Sequence, residues 1–118
     1  MATVSSHILD SVSGASAVGI RVVLYRIGDA AEKLVLFDLT SNAEGRVVES
    51  VEVDESNSEC EYELVFHSAE YFATQSLPQQ NSSVMQTVVI RFSIPDADKR
   101  YHLPIMLSPH SYSVWSSQ

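Results

Sequence analysis

The sequence predicts an antiparallel β-sandwich of seven or eight strands with one short helix. Apolar and polar residues alternate in most segments of the chain, which is the pattern of strands that bury one face. Turn-prone stretches separate these segments at short intervals, and no helical segment long enough for a crossover lies between them. Because 118 residues suffice for one core and no linker or repeat interrupts them, we expect a single domain over residues 1–118.

The first half of the chain supplies four predicted strands. They cover residues 3–10, 18–26, 33–39 and 47–53. In the clearest of them, Ile20, Val22 and Leu24 share one face. Between the third and fourth strands, Asn42 and Gly45 are residue types that tolerate a positive φ, so a tight connection is expected there.

The second half predicts four more strands and the helix. The strands cover residues 60–67, 84–94, 101–107 and 112–115. Ser68 is expected to cap a short helix over residues 68–75. Residues 95–98 are turn-prone, which predicts that the strands on either side of them pair as a hairpin. Residues 54–59 are interpreted as a solvated acidic loop, because their carboxylates lack the spacing of a calcium loop, and residues 77–83 as a polar loop.

Two histidines fall on strand faces that point away from the predicted core. His7 lies opposite Val4 and Ile8, and His102 lies opposite the apolar residues of the strand at 101–107. Pro104 removes a backbone donor from that strand, so the strand should lie at an edge of its sheet or contain a break. An imidazole beside irregular backbone is suited to chemistry, and a histidine on an ordinary sheet surface is the alternative that these residues alone leave open.

Composition and charge exclude several classes of partner and site. The formal net charge of −8 argues against a nucleic-acid or an anionic-membrane partner, because both require clustered Lys and Arg. Cys60 is the sole cysteine, so neither an intrachain disulfide nor a cysteine-based zinc cluster can form, and we interpret it as a half-buried structural residue.

The N-terminal residues do not resemble a secretory signal, because no basic head precedes an apolar core. No apolar run approaches the roughly 18 residues of a membrane span. We therefore expect a cytoplasmic or peroxisomal protein that is not secreted, although the last three residues do not match the peroxisomal tripeptide.

Four ordered blocks of sequence carry a family resemblance. They are Ser6-His7-Ile8-Leu9-Asp10, Ser41-Asn42-Ala43-Glu44-Gly45-Arg46, Tyr101-His102-Leu103-Pro104 and Leu107-Ser108-Pro109. With these blocks at compatible spacing, the chain resembles the 5-hydroxyisourate hydrolases, also called transthyretin-related proteins. Further matches, such as residues 18–22 and 62–66, extend the resemblance over nearly the full length.

The resemblance implies a transthyretin-like sandwich that assembles as a homotetramer, with active sites where subunits meet. It implies a small-molecule substrate, 5-hydroxyisourate, whose six-membered ring is opened by hydrolysis in urate degradation, and no cofactor or metal. The family's site residues fall on His7, Arg46 and His102 of this chain. Because the transthyretin hormone carriers replace that set, its presence here indicates the hydrolase branch.

These residue types suit the implied reaction. Hydrolysis of an activated cyclic amide needs a base, and an imidazole that titrates near neutral pH can serve as one. Our hypothesis is that either His7 or His102 activates water while the other orients the water or handles the leaving nitrogen. Arg46 would bind the anionic ligand and stabilise the developing oxyanion, and a solvated surface arginine is its alternative interpretation.

The C-terminal tail departs from the family pattern. Family members usually end in Tyr-Arg-Gly-Ser, whereas this chain ends in Trp115-Ser116-Ser117-Gln118. Trp115 keeps an aromatic ring, and Ser117 is the candidate for a displaced hydroxyl, so both are assigned to substrate binding. The changed tail leaves open the alternative of a transthyretin-like binding protein with weak or no hydrolase activity. His110, where the family often has tyrosine, is interpreted as a loop residue.

Overall fold

The computed structural model contains two β-sheets that pack face to face, and it describes residues 1–53, 56, 59–75 and 84–117. Within these residues there are ten strands and one α-helix. Their bounds are β1 Ala2–Asp10, β2 Ala15–Ser16, β3 Arg21–Ile27, β4 Lys33–Thr40, β5 Arg46–Val51, β6 Glu61–Phe66, α1 Ser68–Ala73, β7 Val88–Ser93, β8 Arg100–His102, β9 Ile105–Leu107 and β10 Tyr112–Val114.

Strand β1 is the centre of the first sheet and pairs along both of its edges. On one edge it pairs antiparallel with β5 and then with β2. On the other edge it pairs parallel with β8 and then with β9, and β10 adds to β9. The second sheet is antiparallel throughout, in the order β4-β3-β6-β7.

The core lies between the two sheets and is built from alternate residues of their strands. Val4 and Ile8 of β1 are fully buried, and Val22, Leu24 and Leu64 of the second sheet face them in the same apolar cluster. Burial removes apolar surface from water and contributes about 1.5–3 kcal/mol for each such side chain. The residues of β1 between the buried ones point outward, so the first sheet presents a second, solvent-accessible face.

The predicted β-sandwich with one short helix is confirmed. The described residues hold ten strands rather than seven or eight, since Pro104 divides one predicted strand into β8 and β9 and the two-residue β2 gave no sequence signal. The predicted break at Pro104 is therefore present. The tight connection at Asn42–Gly45 is also present, and Cys60 is half-buried as expected.

The predicted hairpin between residues 84–94 and 101–107 is wrong. Strand β7 pairs with β6 in the second sheet, whereas β8 pairs in parallel with β1 in the first. Where the connection crosses between the sheets, Ile94 is buried just after β7 and the Tyr101 hydroxyl is hydrogen-bonded to the backbone of Asp96. A turn-prone sequence fixes a reversal of direction but not the sheet that the chain enters next.

The predicted cap by Ser68 is also wrong. His67 occupies the N-cap position without a side-chain hydrogen bond, and Ser68 is the first residue of α1. The backbone N–H of His67 still donates to the Arg21 carbonyl at 3.0 Å, so the end of the sheet determines where the helix can begin.

Three predicted strands are shorter than expected by two or more residues at one end. Residues 18–20 precede β3, residues 52–53 follow β5, and residues 84–87 precede β7. The loop predicted at residues 77–83 and most of the acidic loop at 54–59 lie outside the described residues. No helix in the described ranges has the length and apolar character needed to cross a membrane.

A buried polar cluster holds the end of β1. Asp10 is 3% exposed, and its two carboxylate oxygens accept hydrogen bonds from the backbone N–H groups of Val12 and Ser13 and, at 2.8 Å, from the Tyr71 hydroxyl. Burial, with the hydrogen bond to Asp10, raises the pKa of Tyr71 to about 12. Helix α1 is therefore tied to the strand that carries His7.

We expect Tyr71→Phe to lower the free energy of unfolding by about 1–3 kcal/mol, because one oxygen of the buried Asp10 carboxylate loses its donor. Urea unfolding measures this loss, and Tyr112→Phe, at an exposed position, is the matched control. Because the pKa of Tyr71 is raised to about 12, the hydroxyl stabilises the folded state fully below about pH 10. This stabilisation is lost as the pH rises through about 12. Equal stabilities of the two variants at neutral pH would contradict this role.

Candidate active site

His7 and Arg46 lie side by side on the outer face of the first sheet. They are direct partners in the antiparallel pairing of β1 with β5, so their side chains project from the same face. His7 is half-buried, and its Nε2 lies 3.4 Å from the hydroxyl of Ser16, at the long limit of a hydrogen bond. Arg46 is exposed, and no ion pair is recorded for it among the described residues.

A tight turn places Arg46 beside His7 on the outer face of the first sheet. The side-chain oxygen of Asn42 accepts hydrogen bonds from the backbone N–H groups of Glu44, at 2.9 Å, and Arg46, at 3.0 Å. Gly45 has a φ of +74°, and its carbonyl accepts from the N–H of Ile8 at 2.8 Å. Asn42 and Gly45 thus form the turn and dock it on β1 just beyond His7.

His102 reaches the same face from the other edge of β1. Ser5 and His102 are partners in the parallel pairing of β1 with β8, and the Ser5 hydroxyl lies 2.8 Å from Nδ1 of the imidazole. Because side chains two residues apart on a strand share a face, Ser5 and His7 project together, with His102 beside one and Arg46 beside the other. The three residues that the sequence assigned to the site therefore share one surface.

The surroundings of His102 favour its neutral form. Burial lowers the pKa of the His102 imidazole below its ordinary value, and the charges of Arg46 and His7 lower it further, while a hydrogen bond to the Ser5 backbone acts in the opposite direction. A neutral imidazole near pH 7 has one ring nitrogen free to accept a proton. These charges also indicate that the three side chains act on one another across the face.

The C-terminal tail runs beside His102. The backbone N–H of Ser117 donates to the His102 carbonyl at 2.8 Å, and the two residues form an antiparallel bridge, so their side chains share a face. The N–H of Trp115 contacts the Pro104 carbonyl at 3.4 Å. Trp115 lies two residues before Ser117, just beyond the end of β10, and is 46% exposed.

A pocket of about 320 Å³ also adjoins His102. It is lined by the end of β7, the backbone region of β8 and the tail, including Phe92, Tyr101, Ser116 and Ser117. Neither His7 nor Arg46 lines it. The three candidate residues therefore meet on an open sheet face, and only His102 and Ser117 also border the pocket.

The sequence interpretation missed Ser5. Its position two residues before His7 places it on the outer face, but its contact with His102 depends on pairing between residues 97 positions apart. Within the described residues, no group of three or more His, Cys, Asp or Glu side chains could hold a metal ion. The donors of this face are imidazole, guanidinium and hydroxyl groups, which suit an anionic or carbonyl-rich organic ligand.

We expect Gly45→Ala to destabilise the protein more than Gly14→Ala does. Both glycines have a positive φ, which costs an alanine about 1–2 kcal/mol. At Gly14 an added Cβ meets nothing within 4 Å, whereas at Gly45 it would lie 2.7 Å from the Ile8 carbonyl oxygen and 2.8 Å from Cβ of Ser16. Urea unfolding compares the two losses, and hydrogen exchange of the Arg46 amide reports whether the turn has moved. Equal losses of unfolding free energy in the two variants, with unchanged hydrogen-exchange protection of the Arg46 amide, would contradict the close packing at Gly45.

Comparison with known proteins agrees with this geometry. The HIUase/Transthyretin family model matches residues 4–116. A curated relative, 5-hydroxyisourate hydrolase 2 of Rhizobium meliloti strain 1021, is 34% identical over 111 residues, which make up 94% of this chain and 92% of the relative.

Two solved structures are similar along the whole chain. The crystal structure of (S)-allantoin synthase has a TM-score of 0.81 and 26% identity over 99% of this chain, which spans 44% of that protein. The structure of Klebsiella pneumoniae 5-hydroxyisourate hydrolase has a TM-score of 0.77 and 28% identity, and the match covers 100% of both chains. The resemblance inferred from the four sequence blocks is thereby confirmed, and the chain belongs to the HIUase/Transthyretin family.

Proposed function

We propose that the protein is an enzyme that hydrolyses 5-hydroxyisourate by opening its six-membered ring. The observation that carries this proposal is the meeting of His7, Arg46 and His102 on one sheet face of a chain whose full-length relatives are named 5-hydroxyisourate hydrolases. The alternative, a transthyretin-like binding protein without turnover, is not favoured by these relatives.

His102 is the proposed general base. Its lowered pKa keeps the imidazole neutral near pH 7, so a ring nitrogen can take a proton from water as the oxygen attacks the ring carbonyl. The carbonyl oxygen then becomes an oxyanion, and the C–N bond of the ring breaks in the following step. His7 lies on the neighbouring strand β1, two residues beyond the Ser5 that pairs with His102, and it directs the water or supplies a proton to the leaving nitrogen.

Arg46 is the proposed electrostatic partner. Its planar guanidinium offers several donors to the carbonyl oxygens of an anionic ligand and opposes the negative charge that develops during attack. No ion pair of Arg46 within the described residues competes with this role. The reaction as proposed requires no metal or cofactor.

Trp115 and Ser117 are proposed to bind the substrate. Ser117 pairs with His102, and the exposed Trp115 two residues earlier offers an indole ring on which a planar ring can stack. The Ser117 hydroxyl would replace the hydroxyl that other family members carry at the end of the chain.

We further propose a homotetramer in which a second subunit covers this face. In the single chain Arg46 is exposed and the two histidines are half-buried, and exposed apolar side chains flank them, with Val48 at 62% and Met106 at 41% exposure. Covering them would remove apolar surface from water and enclose the site, which strengthens its electrostatic interactions.

The decay of freshly generated 5-hydroxyisourate, followed by absorbance, tests the proposed activity. We expect the protein to accelerate the decay and His102→Asn to lower turnover by about 10²-fold or more, because the variant lacks the base. His110→Asn is the matched control, since His110 is exposed in a loop. The lowered pKa of His102 predicts that kcat/KM falls only below the ordinary value of 6.5, where the imidazole takes a proton.

A decay rate equal to the spontaneous one, from assembled protein, would reject the enzyme. Full activity in His102→Asn would instead remove His102 from the mechanism while leaving the activity established. Ser117→Ala is expected to raise KM more than it lowers kcat, and unchanged kinetics would remove Ser117 from the site.

Light scattering coupled to size exclusion tests the assembly. We expect the mass of a tetramer for the unmodified protein, and smaller species with reduced turnover for Val48→Glu, because a carboxylate on the covered face would lose its hydration. Val35→Glu, on the exposed side of β4 in the second sheet, is the matched control. An unmodified protein that is monomeric and fully active would contradict the shared site.

A further inference from the structure

Ser5 touches the candidate base directly, and neither the sequence blocks nor the family's site residues assign it a role. Its hydroxyl oxygen lies 2.8 Å from Nδ1 of His102. We propose that Ser5 is a positioning residue that accepts the Nδ1–H of His102 and so leaves Nε2 as the nitrogen that takes the proton from water. This inference rests on the proposed hydrolase function.

The backbone on both sides of this contact is fixed. Ser5 is paired with Val48 on one edge of β1 and with His102 on the other. The Ser5 carbonyl accepts from the Leu103 N–H at 2.9 Å, and the buried Ser6 hydroxyl donates to the Leu103 carbonyl at 2.6 Å. Because these bonds lock β8 against β1, the Ser5 hydroxyl is held at a constant position relative to the imidazole.

The direction of the hydrogen bond decides what His102 can do. A neutral imidazole carries one proton, so one nitrogen donates and the other accepts. If Nδ1 donates to Ser5, Nε2 is the free acceptor and can act as a base. If the Ser5 hydroxyl donated to Nδ1 instead, Nε2 would carry the ring proton and would have no free lone pair with which to take another proton from water.

The surroundings favour a neutral ring, which carries a single proton. Burial lowers the pKa of His102 below its ordinary value. The charged groups that face the ring are His7 on β1 and Arg46 on β5, and Arg100 lies two residues before it on β8. Residues 115–117 of the tail carry no titratable side chain. The charges of Arg46 and His7 add to the effect of burial and favour the neutral ring, so the choice between its two nitrogens determines its function.

The test combines a tautomer measurement with kinetics on Ser5→Ala and Ser5→Thr. Nitrogen-15 NMR of the imidazoles should show His102 with its proton on Nδ1 in the unmodified protein and a mixture of tautomers in Ser5→Ala. In the decay assay, Ser5→Ala should lower kcat about 10-fold with KM changed less than about 2-fold, as for loss of a group that orients a catalytic residue. Ser5→Thr, which keeps the hydroxyl and suits a strand, should restore kcat.

The dependence of kcat/KM on pH gives a further test, because the proposal predicts the direction in which it shifts. Without its acceptor the imidazolium form of His102 is destabilised, so the acid limb of kcat/KM should move to lower pH in Ser5→Ala. Ser50→Ala is the matched control, because it removes a hydroxyl from the same face at the partner position of Thr3 and should leave kcat and the limb unchanged.

Three results would overturn the positioning role. These are an unchanged kcat in Ser5→Ala, an acid limb that moves to higher pH, and a His102 proton found on Nε2 in the unmodified protein. An unmodified protein without turnover would reject the hydrolase function instead, and the NMR tautomer would still decide whether Ser5 accepts from His102. The NMR result on the unmodified protein also stands if Ser5→Ala fails to fold.

Discussion

The hydrogen bonding of β1 along both of its edges is the constraint on which the site depends. One edge sets Arg46 opposite His7, and the other sets His102 opposite Ser5. A slip of one residue on either edge would turn the paired side chain to the opposite face, because side chains alternate along a strand. A single strand therefore holds two distant segments of the chain side by side on one face of the sheet.

Buried polar residues keep that strand in place. Asp10 binds the turn after β1 and the Tyr71 hydroxyl of α1, and Ser6 binds the Leu103 carbonyl. Ser41 accepts from the Ile20 N–H and donates to the Ala17 carbonyl, which fixes the chain before the turn that carries Arg46. Each of these groups is buried with its hydrogen bonds made, so displacing any of them would leave an unpaired polar group in the core.

Charge is distributed unevenly between the chain and its site. The protein carries a net charge of −8, yet the outer face of the first sheet combines Arg46 and Arg100 with two histidines. A local cationic surface on an acidic protein favours a small anionic ligand over a polyanion, because the remaining surface repels a long chain of phosphates. Burial lowers the pKa of His102, and the charges of Arg46 and His7 lower it further, so groups that would attract an anionic ligand also favour the neutral imidazole.

The sequence by itself predicted the sandwich and most of its strands, and its family resemblance singled out His7, Arg46 and His102 as candidate site residues. Alternation reports which residues face a core, and the Asn42 and Gly45 turn has a local chemical signature. The tertiary structure alone decided that β8 crosses to β1 rather than pairing with β7, and that α1 begins at Ser68 rather than being capped by it. It also revealed Ser5 as the neighbour of His102. These features depend on contacts between residues far apart in the chain, and no local pattern encodes which strand becomes the partner of another.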